Sequence, residues 1–437
     1  MPLQSSAIRV RSYSTPGSIS LSEIISALSF ALDLTEGAVP GHALRTCLLG
    51  MRIAAAAGVP HDEISSLYYG LLLKDAGCSS TAALMSQIAE GHTVSPKADS
   101  SAPGASLAHA QPLLRIHLPN TAGLTTLRCE RGAGIVRKLG LGRLASNTVL
   151  HLDECWDGTG YPQHLRRDEI PLLARIGSIA QHLDVFGTLY GPERAIQTLE
   201  DLSGSTFDPA LVRIALALHS SRTLWNQCGS GDRISETRRA VLDLDPVNGQ
   251  RLESLRIDEI CQAFADVVDA KSNFTYRHSI DVAKIARAIS EALDLQPARI
   301  QLVHRAALLH DIGKLHVPTH ILDKPEGLTP QERALVQEHP GLSRRILQRI
   351  DAFRELAVIA GQHHERLDGS GYPYRLTADD LSIEARIVAV ADVFGALHEE
   401  RPYRPAMRRE RIIDILRTKA PQQLDPDCVE ALISVTA

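Results

Sequence analysis

His310 and Asp311 stand side by side at the end of an apolar run, 303–309. An imidazole nitrogen and a carboxylate on one turn can ligate a cation, and the carboxylate can bridge two. A lone His-Asp pair is more often structural than chemical, but this one has company. His278 precedes it, and His339, His363, His364 and Asp392 follow. Five imidazoles and two carboxylates on separate stretches form a metal-site inventory rather than ordinary core composition. Imidazole and oxygen donors without a cysteine suit iron or manganese and argue against a structural zinc site. Two such ions ~3.5–4 Å apart generate hydroxide at neutral pH and polarise the bond it attacks, so the chemistry to expect is metal-assisted hydrolysis. Lys314 falls four residues after His310. The two are expected on the same helix face, bringing an ammonium to a bound phosphate.

The elements that must hold these residues are helices. Aromatics make up only 4% of the chain, and Ala, Leu and Ile fill most periodic stretches. Ser20-x-x-Glu23 has the form of a capping box ahead of Ile24, Ile25, Leu28 and Leu32 at helical spacing. Further helices are expected over 43–57, 62–73 and 171–189, and another after Asp208-Pro209. With 437 residues, 44% of them apolar, there is room for two or three domains with proper cores. The net charge of −5 argues against a nucleic-acid polymer as partner. Seven scattered cysteines without a Cys-x-x-Cys read as reduced thiols in a cytoplasmic protein. No apolar stretch approaches ~18 residues, so no membrane span is expected.

The second half repeats the first. Residues 41–78 align with 277–314 without a gap, at an offset of 236. His42 then falls on His278, and Lys74-Asp75-Ala76-Gly77 on His310-Asp311-Ile312-Gly313. Asp157-Gly-Thr-Gly-Tyr-Pro matches Asp368-Gly-Ser-Gly-Tyr-Pro at an offset of 211. The difference between the offsets is the size of an insertion rich in Ala, Ser, Gly and Pro. The expected boundaries are a flexible lead over 1–18, a first domain over 19–222 with a mobile insertion near 80–111, a linker over 223–252 and a second domain over 253–437. The copies diverge where the chemistry lies. Lys74 stands for His310, Cys78 for Lys314, Leu152-Asp153 for His363-His364 and Gln181 for Asp392. His339 aligns near Arg131, and Asp184 lies one turn beyond Gln181. A lysine in a ligand's position puts a cation in the metal site, so the first copy is expected to be metal-free, with Asp75 a hydrogen-bonding group at a helix end.

His310-Asp311, His363-His364 and the run HHERLDGSGYP together resemble the HD-GYP family of bacterial phosphodiesterases, within the HD superfamily of metal-dependent phosphohydrolases. The resemblance covers roughly 258–437 and extends to about 20–222 as a degenerate copy. It implies an all-α protein of two tandem HD-type helical domains. The implied activity is hydrolysis of cyclic di-GMP to the linear dinucleotide or GMP, with a related cyclic dinucleotide such as cyclic GMP-AMP as the alternative substrate. It implies two divalent ions, iron or manganese. One would take His278, His310, Asp311 and Asp392; the other would share Asp311 and take His339, His363 and His364. Lys314 and Arg366 would hold phosphate oxygens, with Arg404 a further candidate for the phosphate pocket. The loop Asp368, Gly369, Gly371, Tyr372 and Pro373 would face substrate or partner proteins such as GGDEF-type diguanylate cyclases.

Family members with a third metal carry a Glu four residues before the first His. Phe274 stands there in this sequence, so two ions are expected. His304, His316 and His320 are expected at the surface or behind the ligands. The Gly-Tyr-Pro turn persists in the first half without its ligands, which points to a structural share in its purpose. A non-enzymatic adaptor stays open as the reading from another class, and a homodimer stays open as the assembly.

Overall fold

The computed structural model describes residues 19–35, 39–78, 122–229, 231–247, 252–272, 277–400 and 405–436. The expected lead over 1–18 and the insertion near 80–111 lie outside these residues. The chain is all-α, and among the described residues β-structure is limited to isolated bridges such as Asp368 with Thr377. No described helix is long and apolar enough to cross a membrane.

In the first half the principal helices are Leu21–Thr35, His42–Ala57, His61–Leu72, Ala122–Lys138, Gly142–Leu150, Leu172–Tyr190 and Pro209–Ser220. The second half follows with Ser254–Asp269, His278–Ala292, Pro297–Leu309, His339–Leu347, Arg354–Ala360, Ile383–His398 and Pro426–Val435. Local chemistry sets their ends. Ser20 Oγ accepts from Glu23 N at 3.1 Å while Glu23 Oε2 accepts from Ser20 N at 3.0 Å, the reciprocal capping box that the spacing predicts. Gly58, at φ 71°, closes the His42–Ala57 helix. Asp208 and Asp425 cap two helices that each begin with proline, whose missing N–H is no loss there. Ile24, Ile25, Leu28 and Leu32 are buried, each contributing about 1.5–3 kcal/mol relative to exposure.

Paired details recur at the two offsets. Asp33 accepts from Gly41 N and Ala43 N, and Asp269 accepts from Ser279 N at 3.0 Å. Glu154 accepts from Gln163 N (2.7 Å) and Leu165 N (3.0 Å). Glu365 does the same with Tyr374 N and Leu376 N at the same distances. Arg175 also pairs with Asp208 and Arg386 with Asp425, the arginines 211 apart and the aspartates 217. Both Tyr-Pro bonds, 161–162 and 372–373, are cis.

Two sequence readings change here. The stretch 223–252, read as a linker, contains a helix, Ile234–Asp243, with Ala240 and Val241 buried. Tyr68 donates to Val241 O at 3.0 Å, tying this helix to the first half. The counterpart of His339 is Arg128 rather than a residue near Arg131. A Cβ on Gly313 would meet His339 O and Ser343 N, and one on Gly77 would meet Arg128 O and Gly132 N. The glycines are 236 apart and the residues they meet 211 apart, so the insertion lies between Gly77 and Arg128.

Candidate metal centre

The Pro297–Leu309 helix stops at Leu309, and Ile312–His316 continues as a 3-10 turn. Gly313 explains the break. A side chain there would reach within 2.1 Å of His339 O, so the turn and the start of the His339–Leu347 helix meet backbone to backbone. Ser343 Oγ locks the contact, accepting from Gly313 N at 2.9 Å and donating to His310 O at 2.6 Å. His310 and Lys314 therefore do not share an α-helical face. Lys314 sits on the tighter turn, and its Nζ meets Asp311 Oδ2 at 2.5 Å. His278 opens its helix, His363 and His364 follow Arg354–Ala360, and Asp392 lies within Ile383–His398.

These elements bring the seven residues together. Asp311 sits between two sets of imidazoles. Its Oδ2 is 3.3 Å from His310 Nε2 and 3.8 Å from His278 Nε2. Its Oδ1 is 3.2 Å from His339 Nε2 and 3.6 Å from His363 Nε2. Asp392 joins the first set through Oδ1, 3.3 Å from His278 Nε2 and 3.7 Å from His310 Nε2. His364 Nδ1 lies 3.6 Å from Asp392 Oδ2. Donor atoms of His278, His310 and Asp392 lie within 4.8 Å of one another, as do those of His339, His363 and His364.

The residues fit a metal, because their donor atoms face inward and those of His310 and Asp311 lack a hydrogen bond. Nδ1 of His310, His339 and His363 donates to the carbonyls of Ala307 (2.6 Å), Val336 (2.6 Å) and Ala360 (2.7 Å). A carbonyl can only accept, so each ring presents an Nε2 lone pair to the centre when neutral. His339 Nε2 and His363 Nε2 then oppose each other at 3.1 Å. His310 Nε2 and Asp311 Oδ1 are buried without a hydrogen-bond partner. Leaving such groups unsatisfied costs about 1–3 kcal/mol apiece, a cost that a cation removes.

Electrostatics agree with that assignment. Burial alone would raise the Asp311 carboxyl, but the charges of His310 and Lys314 outweigh it and hold the group well below the usual range. Asp392 behaves likewise: burial would raise it, and the neighbouring imidazoles of His278 and His310 hold it well below the usual range. Burial drives His363 and His364 well below the ordinary imidazole value, favouring the neutral, ligating form.

The remaining predicted residues are distributed less tightly. The Arg366 guanidinium donates to Glu365 O at 2.8 Å, its own backbone neighbourhood. Asp368 is exposed, and its carboxylate accepts from Ser370 N at 2.9 Å, closing the turn that Gly369 bends at φ 76°. Neither contact is with a ligand side chain. Gly371 is buried, and a Cβ there would collide with Glu365 Cα at 2.4 Å. Tyr372 lays its ring 4.8 Å from that of His364, whereas Pro373 is exposed. Arg404 and Phe274 lie outside the described residues.

Three supporting residues escape the sequence reading. Glu399 Oε1 accepts from His278 Nδ1 at 2.8 Å, fixing that ring. Ser343 and Glu365 brace the Gly313 contact and the Gly-Tyr-Pro turn. Only Glu365 left a sequence signal, its repetition as Glu154.

A family model described as HD domain matches residues 122–211 and 262–428. The chain belongs to the HD-domain family. It is a phosphodiester hydrolase of that family, and enzymes of this kind are metal-dependent. The chain is 36% identical to 3'3'-cGAMP-specific phosphodiesterase 3 of Vibrio cholerae, over 94% of each protein. It is 39% identical to the cyclic di-GMP phosphodiesterase response regulator RpfG of Xanthomonas campestris, over 46% of this chain and 52% of that one. Among solved structures, a cyclic GMP-AMP specific phosphodiesterase of V. cholerae superposes with a TM-score of 0.67. It is 33% identical and covers 96% of this chain and 98% of its own.

Proposed function

We propose that the second half hydrolyses a 3',3'-linked cyclic dinucleotide at a two-metal centre, with cyclic GMP-AMP as the preferred substrate. The observation that carries the hydrolytic reading is the split of Asp311, one oxygen toward His278 and His310 and the other toward His339 and His363. On this reading His278, His310, Asp311 and Asp392 hold one ion, and Asp311, His339, His363 and His364 hold the other, iron or manganese by donor type. Bound there, the ions supply a hydroxide at neutral pH and neutralise phosphoryl charge. The chain does the rest. Carbonyl and carboxylate partners hold the rings of His278, His310, His339 and His363 in place. Lys314, the partly exposed cation beside Asp311, meets a phosphate oxygen. The Tyr372 ring against His364 walls the site and limits water.

Substrate preference rests on architecture. The relative sharing both halves of this chain is named as specific for 3'3'-cGAMP, whereas the RpfG likeness covers only about half of it. That second likeness keeps cyclic di-GMP as the alternative reading. The test is anaerobic purification, metal loading and competition between cyclic GMP-AMP, cyclic di-GMP and cyclic di-AMP, with product identification. A kcat/KM for cyclic di-GMP above that for cyclic GMP-AMP reverses the assignment. Absence of turnover on all three removes it in favour of the adaptor.

The first half is read here as a metal-free copy. Lys74, in the place of His310, has its Nζ 2.6 Å from His42 Nε2 and pairs with Asp75. Asp184 binds His42 Nδ1 and Arg45 Nε, each at 2.5 Å, and Arg128 pairs with Asp153. Three fixed cations face three carboxylates, and the charge that ions would supply is already present in side chains.

A further inference from the structure

The first helix of each half packs within its own half and also reaches the other. Leu21–Thr35, from the first half, packs against the Ile312–His316 turn and the His339–Leu347 helix of the second. Ser254–Asp269, its counterpart, packs against the Ala122–Lys138 helix of the first half, the equivalent of His339–Leu347. One contact on each side is related by the duplication offsets. The Arg349 guanidinium lies 3.8 Å from the centroid of the Phe30 ring. At the mirrored position Lys138 Nζ bonds Asp266 Oδ2 at 2.9 Å. Adding 211 to Lys138 gives Arg349, and adding 236 to Phe30 gives Asp266.

The junctions are alike in topology and unlike in chemistry. The Lys138 side chain is 65% exposed, and an ion pair of that kind contributes little. Arg349 and Phe30 are each half-buried, where a cation on an aromatic face gains more. The stronger contact borders the half with the ligands. Arg349 follows the helix that His339 opens, and the same first-half helix touches the turn that follows Asp311. We infer that the Leu21–Thr35 helix is a cross-domain brace for the metal centre, and that Phe30 and Arg349 are positioning residues acting through the His339–Leu347 helix and the Ile312–His316 turn. This rests on the reading of the second half as the metal-bearing one, but names the element through which the first half acts on it. Gly313 makes the brace matter. The turn and the His339 helix meet through backbone with no compressible side chain between them, so a shift of that helix reaches Asp311 undamped.

The test uses the full chain with Phe30→Leu, Phe30→Trp, Arg349→Met, Arg349→Lys and, as the mirrored control, Lys138→Met. Amide hydrogen exchange across 312–316 and 339–347 is measured without metal, and metal retention against a competing chelator afterwards. Phe30→Leu and Arg349→Met are expected to speed exchange in both segments at least tenfold and to weaken metal retention about tenfold. Phe30→Trp and Arg349→Lys, which keep a cation on an aromatic face, are expected to stay within twofold of the parent, as is Lys138→Met. Unchanged exchange in Phe30→Leu overturns the brace, and so does an equal effect from Lys138→Met, which would make the contact general domain docking. The exchange readout needs no ion, so a parent chain that retains none refutes the metal reading without touching this result.

Discussion

Replacing Lys314 by Met separates two roles that a single loss of activity would confuse. Without an ion, the Lys314 ammonium occupies Asp311 Oδ2 at 2.5 Å. A charge-assisted hydrogen bond of this kind is worth about 1.5–3 kcal/mol, and an ion claiming that oxygen must displace it. At ~1.4 kcal/mol per decade, its removal should tighten metal binding by about 10- to 100-fold. Turnover should move the opposite way. If the ammonium meets a phosphate oxygen as charge develops, its loss costs about 2.7–4 kcal/mol in the transition state, or roughly 10²–10³ in kcat. The assay is chelator competition on the full chain, paired with single-turnover hydrolysis at saturating metal. Tighter metal with slower turnover is the expected outcome. Weaker metal with slower turnover would make Lys314 a structural support of Asp311, and unchanged turnover would end its assignment to phosphate.

Asp311→Ala in the full chain should abolish turnover and leave no stoichiometric iron or manganese by elemental analysis, since the bridge is lost and the first half offers Lys74 in a ligand's place. Two ions retained by this variant would locate a centre in the first half. The pH dependence follows from His310. Burial disfavours its charge, but Asp311 and Asp392 overcome this and raise it from 6.5 to about 10. In the metal-free chain this ring therefore stabilises the fold fully below pH 6.5, and that contribution fades as pH rises toward about 10. Metal binding requires the neutral ring, so ion uptake should release a proton and tighten as pH rises through neutrality, measurable by titration calorimetry in buffers of different ionisation enthalpy. Glu365→Ala strips two backbone N–H groups of a charged acceptor and should cost about 2–4 kcal/mol in urea denaturation, with the Gly-Tyr-Pro turn the first segment to lose exchange protection.

The candidate ligands stand out in the sequence because a metal centre needs several donors at once. His278, His310-Asp311, His339, His363-His364 and Asp392 fall on separate stretches of the chain, yet their residue types alone identify a set. Helical content was legible from periodicity, and the duplication from ungapped matching. The break after Leu309 was less visible, because His310 and Lys314 are also four apart on a continuous helix. It depends on Gly313 meeting His339 O, a contact between stretches that no local pattern encodes. His339 was aligned near Arg131 instead of with Arg128 for a similar reason. An insertion's end can be placed only by the packing that resumes after it. Glu399, a carboxylate near a helix end, looks like any other until His278 Nδ1 is found 2.8 Å away.

The divergence of the two copies can be argued as one exchange of charge. Both halves gather carboxylates at the same place, around Asp75 in one and Asp311 in the other, buried 2% exposed in each case. Buried carboxylates demand cations, and only two sources are available, side chains or ions. The first half takes side chains: Lys74, Arg45 and Arg128 lie against Asp75, Asp184 and Asp153. The second half keeps titratable rings at the positions of Lys74 and Arg128, His310 and His339, and so leaves Asp311 and Asp392 with Lys314 as the nearby fixed cation. The remaining demand can be met by exchangeable charge alone, protons on His310 at neutral pH or metal ions that replace them. A single lysine inserted at His310 should therefore move the second half toward the first. His310→Lys is expected to fold, to pair with Asp311 and to retain no metal at that position, whereas Lys74→His is not expected to restore binding in the first half, because Arg45 and Arg128 still neutralise its carboxylates. Metal recovered by Lys74→His would show that one residue, rather than the whole charge balance, had silenced that site.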